Sequence, residues 1–129
     1  MLVRTIAGLM MLAGLGVGCG GGDGLTPRAA CEDLQSNLCE RLYACYTPAE
    51  LSELGFPSNE AACVTQLQAS EGCANQTTAN VCTGNERFHP TMANQCLDQI
   101  TGLACSQVRN PDLVLTSAAP ACGKVCAVD

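Results

Sequence analysis

Cysteine spacing constrains this chain more than any other feature. Eleven cysteines stand among 129 residues, at Cys19, Cys31, Cys39, Cys45, Cys63, Cys73, Cys82, Cys96, Cys105, Cys122 and Cys126. That density is typical of small oxidised scaffolds, and a reducing cytosol would not keep such bridges closed. The framework therefore predicts an exported protein. The ten cysteines that follow Cys19 are an even number and can all close into five disulfides. Ten thiols allow ~945 pairings by the usual counting, and spacing alone selects none of them.

Packing alone would support such a chain poorly. It has no Trp, two Tyr and two Phe, and Ala and Cys supply much of its 47% apolar content. The expected folding unit, residues 26–129, is of a size that buries only about two thirds of its unfolded surface. Cross-links are expected to supply what a small core does not.

Cys19 stands apart from the other ten. Residues 1–18 read MLVRTIAGLMMLAGLGVG, with Arg4 followed by an uncharged run from Thr5 to Val17. This length suits the apolar region of a signal peptide and falls short of the ~20 residues of a transmembrane helix. Gly16-Val17-Gly18 precedes the cysteine, and a Gly-rich tether, 19–25, follows it. Such a glycine run has high backbone entropy and resists folding. The segment resembles the lipobox of bacterial lipoproteins, in which the chain is cut before a cysteine that carries a diacylglycerol. Gly18 matches the small residue at −1 and Val17 is acceptable at −2. Gly16 stands at −3 where that family has Leu, and Gly16-x-Gly18 also fits an ordinary secretory cleavage site. The resemblance implies lipidation at Cys19, attachment to a membrane through the N-terminal anchor and, with Gly20 after the cysteine, sorting to the outer membrane. Three acyl chains would hold the domain firmly, because two already suffice.

The remainder reads as an all-α, disulfide-stapled helical domain. Thr26-Pro27 is an N-cap followed by Pro at the first helical position, and no Gly or Pro interrupts the chain up to Tyr46. Cys31, Leu34, Leu38, Cys39, Leu42, Cys45 and Tyr46 share an arc of about 140° on that helix. Its three cysteines are thus expected to face the core and reach other helices. Thr47-Pro48-Ala49-Glu50 is a capping box that opens a short helix stopping at Gly55. Ser58 or Asn59 can cap a third helix, Glu60–Ala69, that ends near Gly72. Residues 70–90 read as a loop pinned by Cys73 and Cys82. His89-Pro90-Thr91 is expected to start a helix reaching about Cys105, with Met92, Cys96, Ile100 and Leu103 on one face. Asn110-Pro111-Asp112 is expected to cap another short helix. Pro120 opens the last turns, with Cys122 and Cys126 at i, i+4. A C-x-x-Q-[LI] echo links Cys63 to Cys96, each followed by a further cysteine at Cys73 and Cys105. It predicts two related cysteine-bridged units.

Motifs for chemistry are sparse. Zinc sites use close thiolate pairs such as C-x2-C, and none occurs; Cys122-x3-Cys126 is the nearest spacing. The missing C-x-x-C and C-x-x-C-H argue against thioredoxin-like exchange and covalent haem. No metal or cofactor is expected. His89 is the only histidine, and no G-x-S-x-G elbow accompanies it, so no catalytic residues are assigned. Glu32, Asp33, Glu40, Glu50, Glu53 and Glu60 fall at helix starts or outside apolar arcs and read as surface charges. The formal net charge is −6 with no basic cluster, which speaks against nucleic-acid binding.

The Cys31-x7-Cys39-x5-Cys45 helix, the segments TPAELSELGFPSNEAAC and FHPTMANQCLDQITGLAC, and the closing PACGKVC resemble small cysteine-rich predicted bacterial lipoproteins of the myxobacterial type. The resemblance spans most of the mature chain and implies anchoring and disulfides, with no activity attached. Three functional classes follow. The first is a non-enzymatic interaction module that displays loops to an envelope protein partner. The second is a helical lipid or small-molecule binder. The third is an enzyme or an enzyme inhibitor, with the segment 74–90 as an inhibitory loop.

Overall fold

The structure, a computed structural model, describes residues 24–129. The signal peptide expected at 1–18, the lipidation site Cys19 and most of the 19–25 tether lie outside the described residues. Helix makes up 61% of what is described and strand 4%, so the fold is all-α.

Helix α1 spans Pro27–Cys45. Thr26 Oγ1 accepts from the Ala29 amide at 3.2 Å, which satisfies one of the orphan donors of the first turn. α2 (Pro48–Glu53) starts at the Thr47–Glu50 capping box, closed in both directions. α3 (Glu60–Ser70) is capped by Asn59, whose Oδ1 accepts from the Ala62 amide. Gly55 and Gly72 follow α2 and α3 at φ of +80° and +63°, the left-handed conformation that ends a helix where a side chain would be strained. A short 3-10 turn, Cys73–Asn75, succeeds α3.

The second half differs from its sequence reading in three places. α4 runs from Pro90 to Thr101, and its cap is Gly102, so it ends before Cys105. Leu103 is still buried, brought inward by a turn in which its amide donates to the Ile100 carbonyl. A separate one-turn helix, α5, covers Cys105–Val108. Asn110 does not cap a helix: its Oδ1 takes the Asp112 amide in a local turn. α6 is Leu115–Ala118, entered from Val114 without a side-chain cap. Finally, Cys122 lies in the 3-10 turn Pro120–Lys124, whereas Cys126 lies in strand β2 (Cys126–Ala127). The two therefore share no helical face. β2 pairs antiparallel with β1 (Arg87–Phe88), Phe88 opposite Cys126.

α1 packs against α3, α4 and α5 and is the hub of the cross-links. All ten described cysteines are paired, as Cys31–Cys73, Cys39–Cys63, Cys45–Cys105, Cys82–Cys126 and Cys96–Cys122. Their Cα separations, from 4.6 to 6.0 Å, lie in the ordinary range for disulfides. Three bridges leave α1 for other elements, as its cysteine face predicts. The Cys63/Cys96 echo does not extend to pairing: Cys63 bonds back to α1, and Cys96 bonds forward to Cys122.

Bridges also fill the core. The largest fully buried side chains are Ile100, Cys39, Cys63 and Cys73. Ile100 sits with Cys96, Leu103, Ala119 and Ala121, and Leu34, Leu38 and Leu115 pack against that group. The chain has no Trp, two Tyr and two Phe, and bridged sulfur occupies core positions that a larger apolar side chain would otherwise take.

Candidate functional site

The densest set of polar contacts among the described residues lies where the C-terminal end of α1 meets α2 and α5. Each partner is brought there by a local signal. Glu50 is the N3 residue of the α2 capping box, and its Oε2 accepts from the Thr47 amide at 2.8 Å and from the Thr47 hydroxyl at 3.0 Å. Arg109 follows α5, which Cys45–Cys105 ties to α1. Its guanidinium grips Glu50 with two bonds, Nη2 to Oε1 at 2.5 Å and Nη1 to Oε2 at 3.1 Å. Nη1 also donates to the Cys45 carbonyl at 2.8 Å. The same group lies 4.7 Å from the Tyr46 ring centroid, within cation–π range. Tyr46 in turn donates its hydroxyl to the Val108 carbonyl.

The electrostatics follow from this arrangement. The Arg109 guanidinium, assisted by the Thr47 amide and hydroxyl, holds the Glu50 carboxyl at about 2 against an ordinary 4.5. Hydrogen bonding to Glu50 pushes Arg109 further up. Both side chains remain substantially exposed, 43% for Arg109 and 35% for Glu50. Solvent screening therefore keeps the net stabilisation of the pair small.

An apolar groove of about 190 Å³ is lined by residues of α1, α3 and α5, Val108 among them. Leu38 and Leu42 of α1 line it together with Phe56, Leu67, Leu113 and Leu115. Its volume is below the ~300 Å³ at which small-molecule pockets usually begin. Arg41 edges the groove, and its Nε is buried without a hydrogen-bond partner. Arg41 Nη2 is 3.5 Å from Cys45 Sγ and 3.9 Å from Cys105 Sγ.

The residues singled out in the sequence are dispersed. His89 occupies the N-cap position of α4 but makes no side-chain cap. Its Nε2 lies 3.2 Å from the Ala127 carbonyl and 3.8 Å from Asp129, where it joins the β1–β2 end of the molecule. Glu32 pairs with Arg28 one turn away, while Asp33, Glu40, Glu53 and Glu60 are exposed. The 74–90 segment is held by Asn80, whose Oδ1 accepts from the Thr77 amide and whose Nδ2 donates to the Asn75 carbonyl. No described non-glycine residue has a positive φ. Among the described residues no three His, Cys, Asp or Glu side chains converge on one point that could hold a metal. Nor is any described helix long and apolar enough to cross a membrane.

Sequence reasoning overlooked Arg41 and Arg109. Arg109 meets partners 59 and 64 residues away, and Arg41, although one turn from Cys45 on α1, meets Cys105 64 residues away.

No protein-family model matches the chain, and no curated protein or solved structure matches it either. The five disulfides fit an exported protein.

Proposed function

We propose that the chain is a lipid-anchored cell-envelope protein that acts as a non-enzymatic interaction module. The observation that carries this reading is the closure of the cysteine set. Each of the ten described cysteines already has a partner, so none is left to bond Cys19. A cysteine that follows the uncharged run Thr5–Val17, precedes glycines and has no described cysteine to pair with has the chemistry of an acylation site. The signal peptide at 1–18, cleavage before Cys19 and outer-membrane placement belong to the same reading.

The interaction role is supported by what the helices present. A cross-linked scaffold holds its surface rigid, which lowers the entropic cost of binding. The charged residues are mainly acidic, and α1, α3 and α5 contribute to an apolar groove whose wall residue Val108 precedes Arg109 of the Glu50–Arg109 pair. The described residues that could serve acid–base chemistry are scattered rather than convergent, which favours a binding role over catalysis. Cross-linking in intact envelopes, followed by affinity recovery of the full chain, is the test. A defined protein partner recovered from wild type and lost in a variant with charge placed in the groove, Leu113→Glu, is the expected result. Recovery of no consistent partner contradicts the reading.

A further inference from the structure

The five disulfides are not equally protected. Cys31 is 8% exposed, Cys73 1%, Cys39 and Cys63 0%, and Cys96 4%. Cys82, Cys122 and Cys126 are half-buried. Cys105 is the one bridged cysteine among the described residues that is exposed. It is thus the bridged residue most open to a thiolate in solution.

The same bridge has a cation beside it. Arg41 Nη2 is 3.5 Å from Cys45 Sγ and 3.9 Å from Cys105 Sγ. The other guanidinium at this corner, Arg109, is occupied by Glu50. Arg41 forms no ion pair among the described residues, and its Nε is buried without a partner. Its charge is thus not offset by a carboxylate and acts on the sulfurs. A neighbouring guanidinium favours a thiolate, and a more acidic thiol leaves a disulfide faster.

We propose that Cys45–Cys105 is a site of thiol–disulfide exchange, opened by an external dithiol that attacks Cys105 and expels Cys45 as a thiolate beside Arg41. The first thiolate of the dithiol forms a mixed disulfide with Cys105 Sγ. The Cys45–Cys105 S–S bond breaks, and its electron pair goes to Cys45. The second thiol of the dithiol then loses its proton, attacks the mixed disulfide and expels Cys105, which takes up a proton. The dithiol is oxidised to its disulfide, and the two cysteines are reduced by two electrons in total.

The consequence is local. Cys45–Cys105 fastens α5 to α1, whereas α3, α4 and the C-terminal turns are held by the other four bridges. After opening, α5 is held to the α1–α2 corner by non-covalent contacts: Arg109 with Glu50, the Cys45 carbonyl and the Tyr46 ring, Tyr46 with the Val108 carbonyl, and the packing of Val108. Val108 and Leu113, which wall the groove, are loosened together. This site stands independently of the anchor at Cys19.

The test uses the oxidised full chain, purified in detergent and treated with limiting dithiothreitol. Acid quenching, alkylation and peptide mapping give the opening rate of each bridge. Cys45–Cys105 is expected to open first, about tenfold or more ahead of Cys82–Cys126. Arg41→Met is expected to slow this bridge about three- to tenfold relative to Cys82–Cys126, and Arg41→Lys to retain most of the rate. Earlier opening of another bridge, or similar rates for all five, overturns the proposal. An unchanged or increased relative rate in Arg41→Met removes the role of the guanidinium. If Arg41→Met fails to form the native bridges, the wild-type opening order and Arg41→Lys carry the same decision.

Discussion

Arg109 and Glu50, 59 residues apart, close a two-bond clamp across the seam between α5 and α2. The carboxyl is held at about 2 against an ordinary 4.5. A depressed folded-state value stabilises the fold above the unfolded value, and the contribution is lost as pH falls through the folded one. Wild type should therefore lose stability relative to Glu50→Gln as pH drops from about 4.5 toward 2, with a constant difference above that window. Thermal unfolding of both proteins across this range checks it. A difference independent of pH would show that the clamp does not hold the charge.

Backbone conformation makes opposite demands on two glycines. Gly72 has φ of +63° with open space where a Cβ would be, so Gly72→Ala meets no clash and bears only the cost of the left-handed conformation. About 1 kcal/mol of destabilisation is expected. Gly102 caps α4 at φ −81°, and a Cβ there would meet the Asp98 carbonyl at an ordinary 3.5 Å. Gly102→Ala should be neutral or stabilise by up to about 0.5 kcal/mol through reduced unfolded-state entropy. Denaturant unfolding with disulfides intact gives both values.

Much of the first half of the fold is legible in the sequence because its signals are local. Thr26-Pro27, Thr47-Pro48-x-Glu50 and Asn59 are capping residues that act within one turn. Gly55 and Gly72 stop helices by a conformation that glycine alone adopts easily. The cysteine face of α1 follows from helical period, whereas the burial of the polar Gln35 is not read from the sequence. The second half depends on competition between local and tertiary forces. Leu103 continues the apolar stripe of α4, yet Gly102 ends the helix and a turn buries the leucine instead. Asn110 satisfies its own loop rather than a helix end. β1 and β2 are two residues long each, too short to show a period. The pairing of ten cysteines, the Arg109–Glu50 clamp and the approach of Arg41 to Cys105 are long-range contacts with no local trace.

Ile100 is the one large aliphatic side chain that is fully buried among the described residues. Ile100→Ala should cost about 3–4 kcal/mol, from lost transfer free energy and a cavity that bridged neighbours relax around poorly. Leu54 is 56% exposed, and Leu54→Ala should change stability by no more than about 0.5 kcal/mol. Denaturant melts of the oxidised proteins separate the two. Similar costs for both would mean that the bridges, not the Ile100 cluster, carry the core.

Closure of the ten described cysteines into five bridges makes Cys19 the centre of the account. Intact mass of the protein extracted from membranes of expressing bacteria tests it most directly. A mature chain beginning at Cys19, with a diacylglyceryl thioether on that residue and five disulfides, is the predicted result. A Cys19→Ala variant released from the membrane fraction would agree with it. A soluble wild-type form that begins with an unmodified Cys19 would contradict it.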